Sequence, residues 1–161
     1  MKVLKFIDEQ FEKWFLIVSL IVMVLVTFMQ IVLRWFNAAT VWAEEFSRYV
    51  MLYQVWVGAS YAVHEDAHIR ITALIGKLSG GRHRGMMDLV VLTLWLLFAL
   101  WLTVEGCVLV GKIAAMGQVS SAMRIPMTIP YASVPIGGAL MTIRLVQKIV
   151  ERLRNTKEEE A

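Results

Sequence analysis

The sequence predicts an all-α integral membrane protein: four transmembrane helices, one amphipathic in-plane helix and both termini cytoplasmic. Three observations lead there. The 161 residues are 58% hydrophobic with a mean hydropathy of +0.64, beyond what a soluble domain of this size carries. The apolar residues fall into four long stretches with little chain left over for a soluble domain. The basic residues lie between and after those stretches, where they set orientation in a membrane. The net charge of +3 and pI near 9.2 are therefore read as topology, and no nucleic-acid partner is implied.

The first span is expected over about 14–36. Its uncharged run from Trp14 to Leu33 has 20 residues, and Trp14 and Trp35 bracket roughly 31 Å of helix, the thickness of a hydrocarbon core. That run exceeds a signal-peptide core and is followed by no small-x-small site, so it is expected to remain as an anchor. The second span, about 42–63, has an uncharged part of only 15 residues, Tyr49–Val63. Glu44, Glu45 and Arg48 must then occupy its first turns. The third span, about 87–110, includes Glu105. The fourth, about 125–143, carries Pro126, Pro130 and Pro135. Pro126 suits a first turn, whereas the other two each remove a backbone hydrogen bond and bend the span. A charged C-terminal tail, 144–161, completes a single membrane domain over 1–161 and is expected to end disordered from Lys157.

Twelve Lys and Arg residues lie in the N-terminal tail, the loop between spans two and three, and the C-terminal tail. Four lie on the other side: Arg34, Arg48, Lys112 and Arg124. Twelve against four places both termini and the middle loop in the cytoplasm and opposes a dual-topology protein. Within the middle loop, Ile71, Leu74, Ile75 and Leu78 follow the i, i+3, i+4, i+7 spacing of one helical face. Arg70 and Lys77 flank that face. A helix over about 67–79 is near 20 Å long, too short to span, and is expected to lie flat on the cytoplasmic surface.

Chemistry-bearing residues are few. Arg34, Glu44, Glu45 and Arg48 form a charge cluster where spans one and two meet. Glu44 and Arg48 stand i, i+4 with the acid first, the favourable order, and the cluster reads as a pin between the spans or a docking surface. His64, Asp66 and His68 have metal-ligand types, but they read as a polar junction in a loop. With all three His in that region, no haem is expected. The lone Cys107 excludes thiol-pair redox chemistry. Gly58, Ser133 and Gly137, with Pro130 and Pro135, are candidate packing positions against a partner. No phosphate loop, nucleophile set or facing carboxylates occur, so neither enzyme activity nor a cofactor is expected.

The run Arg34-Trp35, then Trp42-Ala43-Glu44-Glu45-Phe46-Ser47-Arg48-Tyr49 and Trp56-Val57-Gly58-Ala59, resembles the small membrane subunit of tripartite ATP-independent periplasmic (TRAP) transporters. So do His64-Glu65-Asp66-Ala67-His68-Ile69-Arg70-Ile71 and Ser121 to Tyr131, SAMRIPMTIPY. The resemblance covers roughly Trp14 to Arg144. It implies a bacterial inner-membrane subunit of the DctQ type, encoded apart from its large partner. Such systems import organic acids with a sodium gradient, taking substrate from a soluble periplasmic binding protein that docks transiently. The large elevator-type subunit holds the substrate and sodium sites, and the small one braces it in the bilayer. The competing expectation is a self-contained proton-coupled multidrug exporter of four helices acting as a dimer, which needs a carboxylate at mid-membrane depth.

Overall fold

The computed structural model describes residues 2–38, 40–64 and 84–159, with side chains described over 10–38, 40–63 and 89–152. It is all-helical. Helix α1 runs Lys2–Trp35, α2 Val41–His64, α3 Arg84–Met116, the single turn α4 Thr128–Tyr131, and α5 Ser133–Glu159.

Their ends follow from local chemistry. After α1, Asn37 takes the left-handed conformation (φ 55°). The Ala38 N–H bonds to the Leu33 carbonyl at 3.0 Å and the Asn37 N–H to that of Arg34 at 3.2 Å, the paired bonds of a Schellman stop. Gly117 (φ 60°) ends α3 in the same region of backbone space, with its N–H on the Ala114 carbonyl at 3.1 Å. Between α4 and α5 the chain stays near helical at Ala132 (φ −62°, ψ −18°). Pro135 has no N–H to offer the Tyr131 carbonyl, which interrupts the ladder there. Ser133 donates its hydroxyl to the Pro130 carbonyl at 2.7 Å across the break.

The helices form an open row rather than a closed bundle. α5 packs most extensively on α3 and next on α2, while α1 packs on α2. The order across the row is α1, α2, α5, α3. Its centre is a small cluster of Val63, Ala99, Met141 and Leu145, with Ala59, Leu92, Trp95 and Leu96 against it. Close approach depends on glycine at two crossings. A Cβ on Gly137 would fall on the Cβ of Trp56, and one on Gly138 would lie 2.6 Å from the Thr103 hydroxyl. Most large apolar side chains of α1 and α3 remain exposed, as expected of surfaces whose solvent is hydrocarbon.

Among the described residues, three helices are long and apolar enough to cross a membrane: Gln10–Trp35, Leu89–Met116 and Thr128–Arg152. The second expected span, α2, has 24 residues, about 36 Å, but not the apolar composition. Its polar residues are turned to neighbours: Gln54 donates to Ser19 Oγ at 3.0 Å and Ser60 is fully buried. The fourth expected span begins later than residue 125, since 125–127 belong to a loop. The segment expected as a charged tail from residue 144 continues α5 to Glu159, including Lys157, where disorder was expected. Helix formers without a breaker carry it onward. The expected in-plane helix over 67–79, with Ile71, Leu74, Ile75 and Leu78, and the cluster partners Asp66 and His68 lie outside the described residues.

Candidate functional site

Polar side chains gather at the two ends of the row. At one end Glu45, in the second turn of α2, clasps the loop that joins α3 to α4. Its Oε2 accepts from the backbone N–H groups of Met123 at 2.8 Å and Ala122 at 3.1 Å, and from the Ser120 hydroxyl at 3.1 Å. Its Oε1 accepts from the N–H and the hydroxyl of Ser121, both at 3.2 Å. Successive N–H groups turned to one carboxylate form a nest for negative charge, and bonds to an ionised acceptor are the stronger kind. The loop is a short antiparallel excursion. Val119 bridges Pro126, the Ser120 N–H meets the Ile125 carbonyl at 2.8 Å, and the Met127 N–H meets that of Gln118 at 2.9 Å. At its tip Arg124 is exposed and left-handed (φ 56°), a conformation uncommon outside glycine.

Two tyrosines one turn apart on α2 extend the clasp. Tyr53 donates to the Ile129 carbonyl at 2.7 Å, and Tyr49 lies 3.5 Å from the Met127 sulfur. Glu44 and Arg48 make the expected i, i+4 ion pair at 3.2 Å. Both are about two-thirds exposed, so that pair contributes little. Arg34 is exposed at the end of α1. The cluster is thus divided: Glu45 binds the loop after α3, while Glu44 and Arg48 bind each other. Below the clasp, α1, α2 and the loop enclose an apolar groove of about 740 Å3, lined by residues such as Phe15, Val18, Val22, Phe46, Tyr53 and Ile129.

At the other end lies an arrangement that the sequence reading missed. Glu12 of α1 is 2% exposed and Arg144 of α5 is 5% exposed. Arg144 Nε meets Glu12 Oε1 at 3.3 Å, and the same oxygen accepts from the buried Ser60 hydroxyl of α2 at 3.0 Å. The guanidinium also donates to Gln147 at 3.2 Å. One carboxylate thereby ties three helices. It is also the link from α1 to α5, which otherwise have no packed contact among the described residues. Glu12 and Arg144 are 132 positions apart, and Arg144 had been counted with the cationic tail. The one available signal was an acid immediately ahead of the first apolar run.

The candidate packing positions are used inside the chain. Gly137 lies against Trp56, Gly58 near Leu16, and Pro135 against Gly106, while Ser133 and Pro130 are buried. Among the described residues no group of His, Cys, Asp and Glu could hold a metal.

The family described as tripartite ATP-independent periplasmic transporters, DctQ component, matches residues 23–155, which contain both the Glu45 clasp and Arg144. The chain belongs to this family. It is 28% identical over 148 residues to the C4-dicarboxylate TRAP transporter small permease protein DctQ of Vibrio cholerae, covering 78% of this chain and 63% of that one. It is 25% identical over 165 residues to the sialic acid TRAP transporter small permease protein SiaQ of the same organism, covering 96% and 88%. It is also 24% identical over 159 residues to the isethionate TRAP transporter permease protein DctMQ of Oleidesulfovibrio alaskensis, covering 94% of this chain but 25% of that protein. The chain therefore spans a quarter of one of these relatives and under two thirds of another. It is a TRAP transporter small permease subunit, a transport component of the membrane.

Proposed function

We propose that this small permease subunit braces a larger elevator-type membrane subunit during sodium-driven uptake of an organic acid delivered by a periplasmic binding protein. It crosses the inner membrane four times with both termini in the cytoplasm. The observation that carries the reading is the open row. Its outer helices expose apolar side chains along their length. Such a row enlarges the footprint of a partner in the bilayer without holding a substrate.

The relatives support the partners. One is named for isethionate, one for C4-dicarboxylates and one for sialic acid, all organic acids. The relative that this chain spans only in part, DctMQ, is as long as a small subunit joined to a much larger one would be. The exporter alternative is not favoured. Glu45 is engaged by the loop and Glu12 is paired with Arg144, while Glu105 lies on the exposed outer face of α3 and lines no groove between the helices among the described residues. In this reading Ile71, Leu74, Ile75 and Leu78 form the in-plane brace, and Arg34, Arg48 and Arg124 border the docking surface. The deciding experiment is a tagged pull-down from mildly solubilised native membranes with partners identified by mass. A much larger multi-span protein in equal amount is expected. Recovery of the chain with itself alone overturns the reading.

A further inference from the structure

We infer that the outer face of α3 is a helix-docking seam, and that its occupant is a transmembrane helix of a different subunit carrying a basic or multiply hydrogen-bonding side chain level with Glu105. The inference rests on the accessory-subunit reading and names the surface and the chemistry through which the partner binds.

α3 is an edge helix, packed on α5 along one side through Ala99, Gly106 and their neighbours. About a third of a turn away, Leu94, Phe98, Trp101, Glu105, Val108 and Lys112 follow one another at alternating four- and three-residue steps, and all six are exposed. That 3.5-residue repeat is the spacing of a seam that meets another helix at a shallow left-handed crossing. The aromatic pair on it is ordered within the helix, with the Phe98 and Trp101 rings 6.2 Å apart.

Glu105 gives the seam its polarity. Glu105 adjoins Gly106, which packs on Pro135, and Pro135 stands nine residues, about 14 Å, along α5 from the buried Arg144, so Glu105 lies well inside a hydrocarbon layer of roughly 30 Å. Lys112, two turns on, lies near the edge of a roughly 30 Å hydrocarbon layer, where a long side chain reaches the interface. Glu105 has no such escape, and no described residue bonds its carboxylate. An acidic side chain at that depth belongs against protein that pairs it.

The seam also excludes a second copy of this chain. A parallel copy related by a two-fold axis along the membrane normal would set Glu105 beside Glu105. An antiparallel copy crossing the same layer would carry its Lys112 to the opposite edge, out of reach of Glu105, and requires opposite insertion of identical chains, against a twelve-to-four basic bias. A helix of another protein with complementary charge satisfies the face.

The test co-expresses the full tagged chain with its large subunit and measures their ratio after purification in mild detergent. Glu105→Lys is expected to lower recovery of the large subunit by at least roughly tenfold, since it puts like charge against the partner, and Glu105→Gln to lower it less, keeping a hydrogen bond. Because Glu105→Lys also burdens insertion, a second measurement leaves Glu105 intact. A photo-crosslinking residue at Val108 is expected to give an adduct with the large subunit. Undiminished recovery with Glu105→Lys, or no adduct from Val108, overturns this inference while the accessory reading stands on the wild-type recovery. If the wild-type chain itself recovers no large subunit, the accessory reading falls and this inference with it.

Discussion

Glu12, just ahead of the apolar run of α1, and Arg144, midway along α5, are each almost wholly buried. Removing one partner of such a pair strands the other without compensation, which costs far more than replacing both. Arg144→Met is therefore expected to destabilise the purified chain by about 3–5 kcal/mol, and Glu12→Leu combined with Arg144→Met to recover most of that loss. Thermal unfolding in detergent of the single and double variants measures the coupling, and simple additivity would mean that the two residues act independently. Glu45 acts differently, since it is partly open to solvent and holds backbone rather than a countercharge. Glu45→Ala is expected to loosen residues 117–127 with the helices intact. Trypsin should then cleave after the exposed Arg124 markedly faster than in wild type, while helical circular dichroism is unchanged. Glu45→Asp should behave alike, because a carboxylate one methylene shorter reaches the nest poorly.

At the scale of elements, the two kinds of glycine separate packing from propensity. A Cβ at Gly137 would overlap the Trp56 Cβ, whereas one at Gly111 meets nothing within 4 Å. Gly137→Ala should destabilise the α2–α5 crossing by about 1–3 kcal/mol through overpacking. Gly111→Ala should be neutral or stabilising by up to about 1 kcal/mol, from helix propensity alone. Paired melting curves check both, and equal behaviour would mean that the crossing yields more than its geometry implies. The same crossing explains what the sequence made legible. Apolar runs located α1 and α3, with tryptophan spacing as a second mark for α1, because those edge helices answer mainly to lipid. α2 was expected over 42–63 and runs Val41–His64, but the neighbours met by its polar residues Gln54 and Ser60 could not be read from the sequence. Glu45 stood out as a membrane-edge acid, but its partners Ser120 to Met123 are more than 70 positions away, and no local pattern announces a nest in a loop. Arg144 was misplaced for a related reason. A cation at the end of an apolar run reads as an interfacial anchor, and only the fold brings Glu12 beside it.

At the scale of the whole molecule, the number of crossings and the sidedness of the termini are one question. Among the described residues three helices have the composition to cross unaided, and three crossings would put the termini on opposite faces. The packing of α2 argues for a fourth. Ser60 meets Glu12 and Gln54 meets Ser19, so α2 runs antiparallel to α1 from the depth of Glu12 outward. The Schellman stop at Asn37 returns the chain directly into it. A helix in that register traverses what α1 traverses, with its polar groups turned to α1 and α5 instead of to lipid, as intramembrane polar groups require. The proposed four crossings would return both termini to one face, which the basic bias assigns to the cytoplasm. Epitope tags at the two ends should therefore both resist protease in right-side-out vesicles and both be cleaved in inverted ones. Opposite sensitivity of the two tags would mean that α2 does not cross, and the row would have to be rebuilt around three spans. Equal sensitivity with the tags outside would leave the fold intact and reverse its orientation, so the loop clasped by Glu45 would face the cytoplasm and could not receive a periplasmic protein.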